Sequence, residues 1–540
     1  MSAYLFFGGD IYTVDDAQPT AEAVAERDGI IVAVGSRAEC RAALGSAAEE
    51  IDLRGATLMP SFIDTHLHPL MLIYYDRNVN LRGVSTLAEV QERLRQTVAQ
   101  RPVGEWIVGL DFDEQELAER RLPTRHDLDA VCADRPVVLV KHDGHMVIAN
   151  TAAMLAAGIH AATDNPSGGV IDREPDGHPA GPFREMAASL IHSAMPLPSL
   201  DDFAAGATFT ATKLASQGIT SVGGVMQTGE HGPIGAAGAL EVPLLSMLAA
   251  QFPLPIYGIV FAEDAAAVET ARQTPLHRPE PGESRIAAVK IIADGSFGSG
   301  TAFMFAPFAD LPGQSGFLLL PVDELYRHMV FAHQAGLQLC IHAIGDAANR
   351  TCIDLFDRLL REYPRRDHRH RIEHASVLDA QMIADIARLE LICSVSPMFV
   401  ETEKGWLHRR LGAERARWTY PFRSLLNAGV KIVGASDGPV ETTDVLSAMQ
   451  AAVTRGGFET QERISVAEAV RMYTIDAAYA HFEEQVKGSV TVGKRADLVV
   501  LNRNPLRVAP DEIGAIRVNQ TWLRGQRIFD RAGAEQGGRS

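Results

Sequence analysis

The stretch ATLMPSFIDTHLH, residues 56–68, is an apolar run that ends in two histidines separated by one residue. Alternate side chains of a β-strand share one face, so His66 and His68 are expected to point the same way and chelate one ion. The His-x-His spacing alone is weak evidence, because it arises by chance in many chains. An apolar strand leading directly into the pair makes the pattern a strong indication of a metal site.

Seven further apolar runs of strand length follow, and amphipathic helical stretches separate several of them. They are ITSVGGVM, LPIYGIVF, IAAVKIIADG, LQLCIHAIG, RHRIEHAS, LELICSVSP and VKIVGASDG, beginning at residues 219, 254, 286, 337, 369, 389 and 430. Eight buried-type strands that alternate with helices predict an α/β fold, a (β/α)8 TIM-like barrel.

The two chain ends and one long interval depart from this rhythm. Residues 1–56 and 486–540 contain short alternating strands and predict one small β-sandwich formed by both termini, two unrelated β units being the alternative. The metal-dependent barrel is assigned to residues 57–485. About 150 residues separate His68 from ITSVGGVM, more than one helical crossover needs, so residues 75–205 are predicted to form an inserted subdomain over the barrel mouth.

Composition narrows the class of partner. The net charge of -18 argues against nucleic acid or an anionic membrane as the main partner, because both would repel the chain. Five scattered cysteines predict neither a disulfide framework nor a zinc finger. The N-terminus lacks the basic region of a signal peptide, and no stretch approaches the ~18 apolar residues of a membrane span. We expect a cytoplasmic protein with a small-molecule substrate; whether it forms a homodimer is left open.

Six residues with side chains that can bind metal lie within or at the ends of the apolar runs: His66, His68, Lys290, His342, His374 and Asp437. In a barrel the carboxyl ends of the strands converge on one mouth, where the active sites of this fold lie. One histidine in an apolar run is usually a satisfied core residue, but six such groups together indicate a metal site. Imidazole and carboxylate ligands suit zinc, with manganese, iron or cobalt also possible.

At these residues the chain resembles the metal-dependent amidohydrolase superfamily, most closely its YtcJ-like (amidohydrolase type 3) branch, which includes N-substituted formamide deformylases. The matching motifs run in order through nearly the whole chain: MPSFIDTHLHP, AAVKIIADGSFGS, IHAIGDAANR, RIEHAS, RARWTYPFRSLLNAG, ASDGPV and GSVTVGKRADLVVL. The resemblance implies a site for one metal ion or two.

Each candidate ligand takes a role from the resemblance. His66, His68 and Asp437 would bind the more buried metal, and His342 and His374 the second. Lys290 resembles the bridging lysine of the family, which carbon dioxide carboxylates, since a free ammonium has no lone pair to offer a metal. A salt bridge from Lys290 to an acid such as Asp294 is the alternative.

The resemblance also implies a reaction. A metal-activated hydroxide would cleave a non-peptide carbon–nitrogen bond, in an N-substituted amide, formamide or carbamate, with Asp437 as general base and then acid. Ester or lactone hydrolysis at the same site is an alternative, and a non-catalytic regulatory homologue is another. Lys290 counts against deamination, and the complete set of ligand candidates counts against a degenerate homologue.

Weaker signals concern the substrate pocket. His145, in the segment Asp143-Gly144-His145, resembles a residue of the branch that would contact substrate, although a surface turn is equally compatible with it. Glu373 either orients its neighbours or touches substrate. Residues 396–399, Ser-Pro-Met-Phe, stand where relatives often carry Gln-Pro-x-His, and they predict a more apolar pocket wall. An aromatic or aliphatic group beside the scissile amide is therefore expected.

Overall fold

A computed structural model describes residues 2–45, 48–112, 114, 117–141, 146–166, 169–196, 199–229, 235–262 and 264–533. The chain divides into two compact units. The first comprises Met1–Leu70 and Ala211–Ser540, and the second comprises Met71–Thr210.

The N-terminal segment contributes five strands to a mixed eight-stranded sheet: β1 (Ala3–Tyr12), β2 (Thr20–Arg27), β3 (Ile30–Gly35), β4 (Glu49–Asp52) and β5 (Thr57–Pro60). β1 and β2 pair antiparallel, as do β2 and β3, and helix α1 (Arg37–Leu44) packs beside them. Only Ser61 separates β5 from β6 (Phe62–Leu67), a strand whose six residues are all buried. Strand β6 therefore carries the chain from the terminal sheet directly into the barrel.

The second unit contains a six-stranded sheet, in the order β11-β12-β10-β9-β8-β7. Its strands are β7 (Val79–Asn80), β8 (Ile107–Phe112), β9 (Val137–Lys141), β10 (Met146–Ala149), β11 (Gly169–Arg173) and β12 (Pro179–Glu185). The helices here are α2 (Pro69–Arg77), α3 (Leu87–Gln100), α4 (Arg125–Asp129), α5 (Thr151–Ala156) and α6 (Ala188–His192). Helix α3 buries Leu87, Val90 and Leu94, whose spacing of three and four residues forms one apolar face.

Eight parallel strands form the barrel sheet, in the order β19-β18-β17-β16-β15-β14-β13-β6. The seven that follow β6 are β13 (Ile219–Gln227), β14 (Ile256–Phe261), β15 (Arg285–Ile292), β16 (Gln338–Ala343), β17 (Arg371–His374), β18 (Ile392–Val395) and β19 (Ile432–Gly434). Each of the eight apolar runs noted in the sequence overlaps one of these strands. The predicted (β/α)8 barrel is confirmed.

Further helices precede or follow the barrel strands along the chain. They are α7 (Leu200–Ser216), α8 (Glu241–Met247), α9 (Ala265–Arg272), α10 (Val322–Gln334), α11 (Asp346–Glu362), α12 (Ala380–Arg388), α13 (Met398–Glu403), α14 (Leu407–Leu411), α15 (Ala413–Ala416), α16 (Phe422–Asn427), α17 (Val445–Thr454), α18 (Val466–Met472) and α19 (Ile475–Ala480). Short 3-10 helices span Gly235–Leu240, Arg455–Gly457, Thr460–Glu462 and Pro510–Ala515. Within the described ranges, no helix is both long and apolar enough to cross a membrane.

The C-terminal segment returns to the terminal sheet with β20 (Leu498–Leu501), β21 (Val518–Leu523) and β22 (Gln526–Asp530). β20 pairs antiparallel with both β5 and β21. Phe6 and Trp522, from opposite ends of the chain, meet edge to face with ring centroids 5.1 Å apart. Both termini thus share one sheet and one apolar core, as the sequence predicted.

The first and last barrel strands are joined through the backbone of the predicted site. The amide of His68 donates to the carbonyl of Gly438 (2.8 Å), and the amide of Asp437 donates to the carbonyl of His66 (2.8 Å). These two bonds hold the loop after β19 against the end of β6. The closure of the barrel therefore fixes Asp437 beside the His-x-His pair.

A chain of three buried histidines lies where β17 begins. His333 Nε2 donates to the carbonyl of Tyr363 (2.8 Å), which leaves its Nδ1 to accept from His370 Nε2 (2.8 Å). His370 Nδ1 accepts from the amide of Leu339 (3.0 Å), and two main-chain groups hold His368 in the same way. In each ring one nitrogen donates a hydrogen bond and the other accepts one, so all three rings must be neutral. Burial lowers the pKa of all three histidines, that of His368 to about 4.

These histidines predict acid-labile folding. Because their folded-state pKa values lie below the unfolded value of about 6.5, the unfolded chain binds protons first as the pH falls. Their contribution is complete above pH ~6.5 and declines as the pH falls below that value, by at most about 1.4 kcal/mol per histidine per pH unit; for His368 the decline ends near pH 4. Urea unfolding of chelator-treated protein at pH 7, 6 and 5 measures the loss. His333→Gln, which keeps an acceptor and a donor but does not titrate, should make the dependence shallower by about one proton; an unchanged slope would contradict this account.

Candidate metal centre

The six candidate ligands occupy the carboxyl ends of the barrel strands or the residues just beyond them. His66 lies near the end of β6 and His68 follows it, while His374 ends β17. Lys290 lies inside β15, and Asp437 follows β19. His342 lies in β16, one residue before the end of that strand. All six positions belong to the first unit.

His66, His68 and Asp437 form the tightest group. Their ligand atoms all lie within 4.8 Å of one another. Asp437 Oδ1 is 3.2 Å from His68 Nε2 and 3.4 Å from His66 Nε2. The carboxylate therefore stands between the two imidazoles that β6 presents, in an arrangement able to hold one metal ion.

The remaining three candidates adjoin this group. Lys290 Nζ lies 3.2 Å from His66 Nε2. The ring centroids of His342 and His374 are 4.5 Å apart, and that of His374 is 5.5 Å from that of His66. The structure thus brings all six side chains into one site.

Asp294, considered above as a salt-bridge partner for Lys290, has other contacts. Its carboxylate accepts the amides of Ile344 (3.0 Å), Gly345 (2.8 Å) and Phe303 (2.8 Å). Among the described residues, the Lys290 amine contacts His66 rather than Asp294. The salt-bridge alternative is therefore not the arrangement in this structure.

Burial governs the protonation of the nitrogen ligands. It lowers the pKa of His66 to about 4 and of His342 to about 3, and the positive charge of Lys290 adds to both shifts. Burial likewise lowers the pKa of His374 well below its usual range and lowers that of Lys290. Neutral imidazoles are the form that ligates metal, and a depressed lysine pKa makes more of the uncharged amine available.

The carboxylate of Asp437 behaves in the opposite way. Burial alone would raise its pKa, but the hydrogen bond with His68 and the electrostatic influence of His66 and His374 outweigh burial and lower it. Asp437 is therefore ionised at neutral pH. An ionised carboxylate among imidazole nitrogens is a ligand set that can hold a divalent cation.

Two further observations fit a metal. Among the described residues, the buried His374 Nδ1 finds no hydrogen-bond partner, although burying an unpaired polar atom is costly. His374 and Asp437 also adopt positive φ angles of 71° and 57°, a region that residues other than glycine rarely occupy. Such strain is concentrated at functional sites, where the surrounding structure holds it in place. The residues present thus fit a bound cation.

Arg371 is a residue of the site that sequence reasoning missed. It pairs with Glu373 (Nε to Oε1, 2.7 Å), and Glu373 Oε2 lies 2.5 Å from His66 Nδ1. Glu373 is fully buried, and its carboxylate contacts these two side chains. Arg371 and Glu373 stand at alternate positions of RIEH, so their side chains share one face of the strand, and this spacing was the signal that could have revealed the pair.

His145 cannot be compared with the other candidates, because residues 142–145 lie outside the described part of the chain. Its suggested contact with substrate stays a prediction from the resemblance.

Most of the chain matches a known protein family. Residues 49–529 match the model of the amidohydrolase family. The chain belongs to the amidohydrolase family. The resemblance inferred from the motifs is therefore confirmed.

Amidohydrolase relatives align over nearly their full length. The chain is 29% identical over 542 residues to YtcJ of Bacillus subtilis, covering 98% of this chain and 99% of the relative. It is 30% identical over 556 residues to the N-substituted formamide deformylase of Arthrobacter pascens, covering 99% of each. The crystal structure of a metal-dependent hydrolase from Pyrococcus furiosus superposes with a TM-score of 0.74 at 28% identity, covering 94% of this chain and 100% of that one. The chain is accordingly a member of a family of metal-dependent hydrolases.

Proposed function

We propose that this chain hydrolyses a non-peptide carbon–nitrogen bond, in an N-substituted amide, formamide or carbamate. One observation carries the proposal: His66, His68 and Asp437 place their ligand atoms within 4.8 Å of one another, with Lys290 beside them. The alignment with a formamide deformylase over 99% of both chains supports the same class of bond.

His66, His68 and Asp437 would hold one divalent cation, and zinc suits these ligands best. His342 and His374 would hold a second cation. Lys290 could join them once its uncharged amine adds carbon dioxide and releases one proton, because the carbamate so formed has oxygen atoms that can ligate a metal. A bound divalent cation supplies Lewis acidity, which lowers the pKa of water towards ~7 and polarises a carbonyl.

Asp437 performs the proton transfers. Its carboxylate is ionised, and its side chain is 11% exposed, so it can reach a proton held by water in the site. It accepts that proton as the carbon–oxygen bond forms and returns it to the leaving nitrogen as the carbon–nitrogen bond breaks.

The wall beside His374 supports a substrate with an apolar group. The ring of Phe399, in the first turn of α13, lies 5.8 Å from that of His374, and Phe399 and Met398 are both half-buried. Tyr420 flanks Phe399 on another side, with ring centroids 6.4 Å apart. An aromatic or aliphatic substituent next to the scissile bond can pack against Phe399.

Phe399→Ala is expected to raise KM about tenfold for substrates with a benzyl-sized substituent, because the variant loses apolar contact worth about 1.4 kcal/mol. KM for a small N-methyl analogue should stay within about twofold. Steady-state kinetics on the two substrates measure the difference. Phe529→Ala, which truncates a half-buried phenylalanine of β22, is the matched control. Equal losses on both substrates would argue against a specificity role for Phe399.

Metal analysis followed by a substrate screen tests the proposed function. Purified protein should contain one or two equivalents of metal, and it should turn over at least one formamide, amide or carbamate. Chelation should abolish turnover, and added zinc or manganese should restore it. Turnover of esters or lactones alone would overturn the proposed bond class. Absence of both metal and turnover would favour a non-catalytic homologue.

A further inference from the structure

We propose that Arg371 and Glu373 form a positioning pair that holds His66 in the single tautomer able to present Nε2 to the metal. The inference rests on the assignment of His66 as a ligand under the proposed function. Arg371 and Glu373 would act through their contacts with His66 and would not bind the metal themselves.

The contact between Glu373 and His66 determines the tautomer. Glu373 Oε2 lies 2.5 Å from His66 Nδ1, and both side chains are at most 1% exposed. An ionised carboxylate accepts hydrogen bonds but cannot donate one, so Nδ1 must carry the proton. The lone pair is then on Nε2, which faces Lys290 Nζ (3.2 Å) and Asp437 Oδ1 (3.4 Å).

Arg371 fixes Glu373 in turn. Its guanidinium binds both carboxylate oxygens, Nε to Oε1 at 2.7 Å and Nη2 to Oε2 at 2.9 Å. Nη2 also donates to the carbonyl of Thr65 (3.0 Å) and to Ser394 Oγ (3.1 Å). Thr65 directly precedes His66. The pair on β17 therefore holds the His66 ring through Glu373 and the adjoining backbone through Arg371.

Stability alone does not account for a buried charge pair at this place. Replacing buried ion pairs by apolar residues of similar volume is often neutral or stabilising, so such a pair is weak evidence of a stabilising role. The chain offers a comparison in Glu483 and Lys487, which are 2.6 Å apart and 2% exposed. The described contacts of that pair include Ser221 and Gly282, and none is with the six candidate ligands. Of these two buried pairs, Arg371–Glu373 is the one that contacts the ring of a candidate ligand among the described residues.

Glu373→Gln tests the role. The amide keeps the shape of the side chain but has one acceptor oxygen. When that oxygen serves Arg371 Nε, the amide NH2 faces His66 Nδ1 and favours the tautomer with Nε2 protonated. We expect zinc affinity, measured by competition with a chromophoric chelator, to fall about 10- to 100-fold. Glu483→Gln is the matched control: its zinc affinity should stay within twofold of the wild type, whatever its unfolding midpoint.

Arg371→Lys provides a second variant that keeps the buried positive charge. Lysine lacks the planar fork of donors with which Arg371 binds both carboxylate oxygens and also reaches the Thr65 carbonyl, so zinc affinity should again fall, by about tenfold. If Glu373→Gln does not fold, this variant decides the question. Zinc affinity within twofold of the wild type in the folded variants, with normal zinc binding by the wild type, would overturn the positioning role and leave the proposed function intact. A wild-type protein that binds no zinc would overturn both.

Discussion

The Asp437→Asn variant is expected to lose turnover, with kcat lowered by about 10²- to 10⁴-fold, while the protein remains folded. The amide is nearly the same size as the carboxylate, and it can still accept a hydrogen bond from His68. It cannot take a proton from water at neutral pH. It also lacks the negative charge that the carboxylate would contribute to binding a divalent cation.

Three measurements separate these effects. Kinetics on the best substrate of the screen give kcat, zinc competition gives the metal affinity, and circular dichroism gives the fold. Asp444→Asn is the matched control, because Asp444 follows in the same connection and caps α17 through the amide of Leu446 (3.1 Å). Asparagine caps helices about as well as aspartate, so this control should keep its activity. Near-normal kcat in Asp437→Asn at full metal occupancy would remove the proton-transfer role.

The barrel and its candidate ligands were predictable from sequence for a physical reason. Parallel strands buried on both faces are continuous apolar runs, so polar residues such as His66 and His342 stand out near the end of their runs. Strands of a parallel barrel all end at the same face. The proximity of the six side chains could therefore be predicted without knowing any tertiary contact.

Contacts between non-neighbouring strands were not predictable in this way. Arg371 reaches the carbonyl of Thr65 across a sequence separation of 306 residues, and no local pattern specifies that pairing. Asp294 shows the same limit. A salt bridge from Lys290 to Asp294 was the open alternative, but β15 ends at Ile292 and the chain then turns Asp294 towards the amides that follow β16. Backbone amides beyond the strand end therefore bind the Asp294 carboxylate, and Lys290 does not.

A second large effect is expected from Gly223→Ala in β13. Opposite this residue β6 contains one extra residue: Val222 pairs with Asp64, and Gly224 pairs with Leu67. The bulge brings the carbonyl of Thr65 over Gly223, so that an added Cβ would lie only 1.9 Å from its oxygen. A main-chain carbonyl held in a barrel cannot rotate aside as a flexible side chain can.

We therefore expect Gly223→Ala to lower the free energy of unfolding by at least about 3 kcal/mol, measured by urea denaturation. Zinc affinity should fall as well, because Thr65 precedes His66 and accepts the hydrogen bond of Arg371. Gly405→Ala is the control, because no atom lies within 4 Å of the Cβ that it would add. Equal destabilisation by the two substitutions, or unchanged zinc affinity in Gly223→Ala, would show that the bulge does not position the His-x-His strand.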